Sequence, residues 1–294
     1  MPNWLYTYFG EVVKPLITMK EKRQLSMPSS FTDNGTFSPP SFWIHPPEPA
    51  ILLSRRRFDP TLFYRPRIFL WLPHFLVQDL HCPACKTAVL EKNGALQPRR
   101  IVDSQDCFYL ISWAYYCRKG CRSHFAGWGH AILDSLPRHL RLAFPAVLSH
   151  RSGISHSVMT HLRVSNQHKM GPSGVQSLLC EMHTLRFNTL HLQYAEAIFE
   201  VISGREAQAS KNTLHSYVSV KFPEFGSFSD PQRYAGFVPG ECYLTAMMNK
   251  AIERDENDAN QHTACLAPDQ IAIDDSHKIF LNDILFDQHF DILS

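Results

Sequence analysis

The sequence predicts an α+β protein, with β-hairpins ahead of an α-helical region. Three observations carry that expectation. Two cysteine pairs, Cys82/Cys85 and Cys117/Cys121, bracket stretches rich in β-branched and aromatic residues. Downstream of Cys121 the apolar residues recur at steps of three and four, the helical period. The two ends differ in composition from the middle, being polar and broken by Ser, Pro, Gly and charged runs. These shifts divide the chain into a disordered N-terminal segment (1–41), a cysteine-rich domain (42–150), a helical region (151–204) and a linker leading to a truncated final segment (205–294).

Along the chain, LSMPSSFTDNGTFSPPS has too little apolar surface to offset the entropy of ordering it. The N-terminus has no basic leader followed by an unbroken apolar run, so it does not read as a signal peptide. No run of about 20 apolar residues occurs, so no membrane span is predicted. The expected location is intracellular, where thiols stay reduced and cysteines serve metals more than disulfides. From Arg55 to Val77, prolines and aromatics interleave, and Pro66 and Pro73 argue against one continuous helix. Arg100–Val102 and Cys107–Tyr116 read as strands joined by the polar turn DSQD, with EKNG as another turn, the outline of two short hairpins.

The helices come next. Trp128, Ile132, Leu136 and Leu140 stand at steps of four, with Pro137 splitting the segment. A second helix is expected from Ile154 to about Val164, capped by Ser152. After the break HKMGPSG, Pro172 starts a long helix that Ser203-Gly204 ends at about Ile202. The stretch SFSDPQRYAGFVPGECYL reads as loop, ERDENDANQH as a charged break, and IAIDD as a short buried strand.

The chemistry concentrates in Cys82-Pro-Ala-Cys85 and Cys117-Arg-Lys-Gly-Cys121. A Cys-x-x-Cys turn presents two thiolates from one tight knuckle, and a second knuckle on a neighbouring hairpin completes a tetrahedron of soft ligands. The expected cofactor is one structural zinc on Cys82, Cys85, Cys117 and Cys121, which makes the hairpins zinc-ribbon-like. Gly120 is expected to permit the backbone twist before Cys121. His81 and His124 flank the knuckles and are alternative ligands. The other histidines lack the His-Glu-x-x-His spacing of a helical metal site.

Charge is partitioned. Residues 54–186 carry 18 Lys/Arg against 7 Asp/Glu, and residues 187–294 carry 7 against 16. A basic middle points to a polyanionic partner. The candidate phosphate contacts are Arg55, Arg56, Arg57, Arg65 and Arg67, interleaved with Phe58, Phe63 and Tyr64, together with Arg118 and Lys119 beside the second knuckle. The two helices around HKMGPSG also suit a helix-turn-helix, with Ser173, Gln176 and Ser177 facing bases.

Taken in order, FWIHPPEPA, CPACKTAVL, GALQPRRIVD, YYCRKGC, LPRHLRLAFPAVLSHRSGIS, NQHKMGPSG and HLQYAEAIFE resemble the cysteine-rich domain of unknown function found in fungal and fish proteins. The likeness covers roughly residues 42–202, and in many such proteins the domain lies upstream of a transposase-like RNase H fold. Downstream, QHTACLAPDQIAIDDSHKI is similar to the first strand of that fold, which implies that Asp274 is its first metal-binding aspartate. FLNDILFDQHFDILS departs from the expected second strand, and its Asp283, Asp287 and Asp291, at steps of four, read as a solvated acidic face and not as the remaining carboxylates of a metal site. The resemblance therefore implies a truncated, catalytically inactive, transposon-derived protein.

The expected function is a zinc-binding, DNA-binding module of nuclear location, with no membrane and no small-molecule substrate. The alternative is a zinc-ribbon module that binds protein instead. An active nuclease would need carboxylates from another chain, because one aspartate cannot hold a pair of metal ions.

Overall fold

The structure is a computed structural model that describes residues 1–18, 32–33, 36–37, 41–77, 79–209, 221–234 and 236–266. In chain order the elements are α1 (Asn3–Thr18), β1 (Thr32–Asp33), β2 (Thr36–Phe37), β3 (Trp43–Ile44), α2 (Pro49–Ser54), α3 (Pro60–Phe63), β4 (Arg67–Leu70) and α4 (Pro73–Leu76). There follow β5 (Glu91–Ala95), β6 (Arg99–Val102), β7 (Cys107–Ile111), β8 (Trp113–Tyr116), β9 (His124–Ala126), α5 (His130–Ser135) and α6 (Arg138–Leu142). The last are β10 (Ala146–Leu148), β11 (Gly153–Ser155), α7 (His156–Gln167), α8 (Pro172–Ala209) and α9 (Glu241–Leu266). The α+β class expected from the sequence is the one observed.

Among the described residues a six-stranded sheet runs in the order β10-β11-β6-β7-β4-β3, a three-stranded sheet in the order β5-β8-β9, and β1 pairs β2 in a small hairpin. The larger sheet is mixed, with β4 parallel to β7 and β11 parallel to β6. Strand β7 is buried at every position, as a strand covered on both faces must be. Around it Ile68, Phe69, Leu70, Ile101, Phe108, Leu110 and Ile111 form the main core. A second cluster joins α7, the start of α8 and α9 through Val158, Leu162, Val175, Leu179, Leu244 and Met247. A third joins α2, α3 and the middle of α8 to Phe225 and Tyr234.

Several expectations change once the chain is packed. The N-terminal segment expected to be disordered carries α1, whose Leu5, Tyr8 and Phe9 recur at helical spacing and enter the core. The single strand expected over Cys107–Tyr116 is two: at the buried Ser112 the chain leaves the six-stranded sheet and enters the three-stranded one. EKNG is part of β5, not a turn, and Gly94, at φ +90°, takes up the irregularity in its pairing with β8. Pro137 does split the helix, into α5 and α6.

Ile154 lies in β11, and the cap of α7 is Ser155, whose Oγ accepts from Val158 N at 3.1 Å. Gly204 does not end α8, which runs on to Ala209. The charged break ERDENDANQH is helical within α9. The boundary expected at residue 150 falls inside one sheet, because β11 pairs with β6. IAIDD, with Asp274, and the expected RNase H-like start lie outside the described residues.

Candidate metal centre

Both cysteine pairs sit on tight backbone loops of the same kind. In the first, Cys82 N donates to Ala88 O at 2.8 Å, and a bridge between His81 and Val89 closes the loop. Lys86 then turns through a left-handed φ of 58°, and its N–H donates back to Cys82 O at 2.8 Å. In the second, Cys117 N donates to Ser123 O at 3.0 Å within the β8–β9 hairpin. Arg122 adopts φ 56°, and its N–H returns to Cys117 O at 3.0 Å. The same closure recurs although the second pair has one more intervening residue, so its extra residue does not spoil the knuckle.

The structure brings the four cysteines together. Cys82 Sγ lies 3.5 Å from Cys121 Sγ, Cys85 Sγ lies 3.7 Å from Cys117 Sγ, and all four sulfurs fall within 4.8 Å of one another. Sulfurs placed on a tetrahedron at a metal–sulfur distance of about 2.3 Å stand roughly 3.8 Å apart, so the cluster has room for one ion. A disulfide would bring two sulfurs to about 2.05 Å, and the four are free thiols.

Cys82 and Cys117 are buried against the main core, while Cys121 opens to solvent. Backbone N–H groups of Ala88 and Thr87, with the Thr87 side chain, hold the Cys85 thiol down to about 5. Bonds from the Ser123 side chain and backbone lower Cys121 as well. Burial pushes the Cys117 thiol up to about 11. A cation at the centre would supply the positive charge that this buried sulfur otherwise lacks.

Gly120 has a different role from the expected one. Its φ does not require glycine, but a Cβ there would stand 2.7 Å from Cys85 Sγ and 3.0 Å from Cys117 Sγ. Space, not backbone twist, selects glycine. His81 and His124 stay outside the four-sulfur cluster; the His124 ring instead packs 4.5 Å from Tyr116 and bonds Asn93.

The basic residues singled out from the sequence separate into two sorts. Arg67 is half-buried, and its Nη2 donates to Asp103 at 2.7 Å and Asp106 at 2.6 Å while the guanidinium lies over the Trp43 ring. Two carboxylates neutralise it, so Arg67 is a structural residue and not a phosphate contact. Arg65 pairs with Glu11 at 3.5 Å and lies over Tyr8. Arg55, Arg56 and Arg57 are exposed just after α2.

Arg118, near Glu91 at 3.7 Å, and Lys119 are exposed on the second knuckle, as expected. The structure adds Lys86 and Arg122 on the two knuckles, and Lys92 on β5, whose Nζ lies 5.7 Å from the Phe75 ring. Among the described residues no carboxylate lies within ion-pair distance of Lys86, Lys119 or Arg122. Lys86 and Arg122 directly follow Cys85 and Cys121 in the chain, and that adjacency was the signal that could have found them; Lys92 comes into view only through the pairing of β5 with β8.

Two of the three side chains in the helix-turn-helix reading are engaged within the fold. Gln176 Oε1 accepts from Glu241 N at 2.9 Å and so caps α9, and Ser177 bonds back to Ser173 O within α8. Among the described residues no helix is long and apolar enough to cross a membrane.

Fold and site together define an α+β domain whose hairpins present a four-cysteine cluster able to hold a metal ion. Residues 29–226 match the model of the family described as a domain of unknown function, DUF6729, and the chain belongs to that family. No curated protein and no solved structure matches it.

Proposed function

We propose that this protein is a zinc-binding module that docks on DNA and carries out no catalysis of its own. The observation behind this reading is the convergence of four cysteine sulfurs within 4.8 Å on two knuckles. An all-thiolate tetrahedral set suits zinc, and four protein ligands leave no open position for water or substrate, so the ion's part is structural. Bound there, it would tie the first knuckle to the β8–β9 hairpin and hold the edge of the main core shut.

The nucleic-acid part rests on the basic rim of Lys86, Arg118, Lys119 and Arg122, with the half-buried Tyr116 and the exposed His124 at the two ends of the second knuckle. Cations contact phosphates, and exposed rings stack on bases. Arg55, Arg56 and Arg57 form a second basic patch. The likeness of the ordered motifs to proteins with a downstream transposase-like domain supports a transposon-derived origin, which in turn supports a nuclear site of action.

Two measurements test this. Purified protein should carry about one zinc per chain and lose it in Cys85→Ser, because structural zinc supplies folding free energy. Full-length protein should bind duplex DNA at low salt with an affinity that falls steeply as salt rises. Replacing Lys86, Arg118, Lys119 and Arg122 with glutamate should weaken binding to every sequence alike and leave zinc in place. Stoichiometric zinc in a Cys82→Ser/Cys117→Ser variant would sink the metal assignment. Zinc without DNA binding at low salt would leave a protein-binding ribbon as the function.

A further inference from the structure

Helix α8 is apolar on two opposite faces. Toward the body it buries Val175, Leu179, Phe187, Leu190 and Tyr194. Away from it stand Leu178, Leu185, Leu192 and Phe199, which are 40%, 55%, 59% and 70% exposed. These four are one heptad apart, and a heptad drifts only about 20° around an α-helix, so they form a nearly straight stripe. Ile202, 41% exposed, continues it. At 1.5 Å per residue the stripe is about 36 Å long. Isolated exposed apolar residues are ordinary, but a stripe in strict register on the back of a packed helix is a surface built to be covered.

We propose that this stripe is the seam of a parallel two-stranded coiled coil, formed with α8 of a second copy of this chain. If Leu185, Leu192 and Phe199 take position a of the heptad, Asn188, Ala195 and Ile202 take position d. In a parallel pair each of these meets its own counterpart, which is the arrangement a seven-residue spacing satisfies with a single helix. Glu181, the d position between Leu178 and Leu185, is exposed, and the two carboxylates that face each other there end the close-packed seam at Leu185, with Leu178 beyond it. Asn188 within the seam is a polar residue of the sort that fixes register.

The flanks agree with a parallel pairing. A residue at g faces the e residue of the following heptad in the other helix. That sets Thr184 opposite Thr189, His191 opposite Glu196 and Ile198 opposite Ser203, so no like charges meet. The His191 ring stacks on Phe225 with centroids 5.0 Å apart, which holds it at the edge of the seam. An antiparallel pairing sets e against e and g against g, and loses the match of histidine to glutamate. The face of α8 that packs on the body lies opposite the stripe, so the two bodies stand clear of each other.

Sedimentation equilibrium on the full chain tests this. The wild type should be a dimer at micromolar concentration, and Leu185→Glu/Leu192→Glu/Phe199→Glu should be a monomer. The triple variant should keep its zinc and its helical signal, and where both proteins are dilute enough to be monomeric their unfolding midpoints should coincide. His191→Glu should weaken the dimer about tenfold by setting like charges across the seam, and adding Glu196→Lys should restore it. A wild type monomeric at every concentration would overturn the proposal, as would a dimer that survives the triple substitution. A dimer indifferent to His191→Glu would overturn the parallel register.

Discussion

Gly120, on the second knuckle, lies where any side chain would meet a sulfur of each knuckle. Its missing Cβ leaves Cys85 Sγ and Cys117 Sγ room to approach, and 2.7 Å to the nearer sulfur is a contact no real Cβ makes. Gly120→Ala must therefore push a sulfur off its tetrahedral place or move the loop. Overpacking of this kind costs about 1–3 kcal/mol, and here the cost falls on the metal-bound state. The expected outcome is a protein that folds with excess zinc but releases it to a chelator at least about tenfold more readily, as 1.4 kcal/mol corresponds to a factor of ten. A competition titration with a chromophoric chelator measures it. An unchanged zinc affinity would mean that the loop relaxes without disturbing the sulfurs.

At the scale of elements, Asp103 ties together strands and helices that are far apart in sequence. Its carboxylate accepts from Arg67 on β4 and from Ser155 Oγ at 2.7 Å, where β11 hands over to α7. Its carbonyl accepts from His183 Nε2 on α8 at 2.9 Å. Burial alone would raise the carboxyl, but bonds from Ser155, Arg67 and Ser104 N outweigh it and hold Asp103 below its ordinary value. The sign follows from linkage. A carboxylate with a depressed folded pKa adds stability that is present above the unfolded value, near about 3.9, and is lost as pH falls through the folded one. Asp103→Asn should thus cost about 2 kcal/mol at neutral pH, the worth of hydrogen bonds to a charged group. The gap between variant and wild type should close below about pH 4. Urea unfolding of both proteins across pH checks this, and any acid loss of metal, common to both, cancels in the difference.

On the scale of the whole molecule, α1 locks two distant parts of the chain to the core. Phe9 packs its ring 4.8 Å from Tyr109 on the central strand, and Tyr8 OH donates to Pro66 O at 3.1 Å. Trp4 Nε1 donates to Gln232 O at 2.6 Å, which joins the N-terminal helix to the segment after α8. Removing residues 1–18 uncovers the sites of three buried side chains, Leu5, Tyr8 and Phe9. At about 1.5–3 kcal/mol each, the loss is about 5 kcal/mol or more. That is comparable to the net stability of a domain. The shortened chain is expected to lose a cooperative urea transition, and a sharp transition at the wild-type midpoint would show that α1 rests on the core without supporting it.

The sequence by itself determined what is local and chemical. Cysteines at fixed spacing on tight turns can only present sulfur, so the four residues of the candidate metal site were legible, as were the turn at DSQD and the break at Pro137. Only the tertiary structure decided what depends on a facing surface. The apolar residues of α1 look unremarkable until the sheet that receives Phe9 is in place. Arg67 reads as a free cation until Asp103 and Asp106 are set beside it, and Gly120 reads as a place for a backbone twist until two sulfurs close on it. Gln176 reads as a base-reading side chain until α9 arrives at its tip. The physical reason is the same in each case. Bond geometry and side-chain chemistry are properties of the residue, whereas burial, charge neutralisation and steric room are properties of the pair.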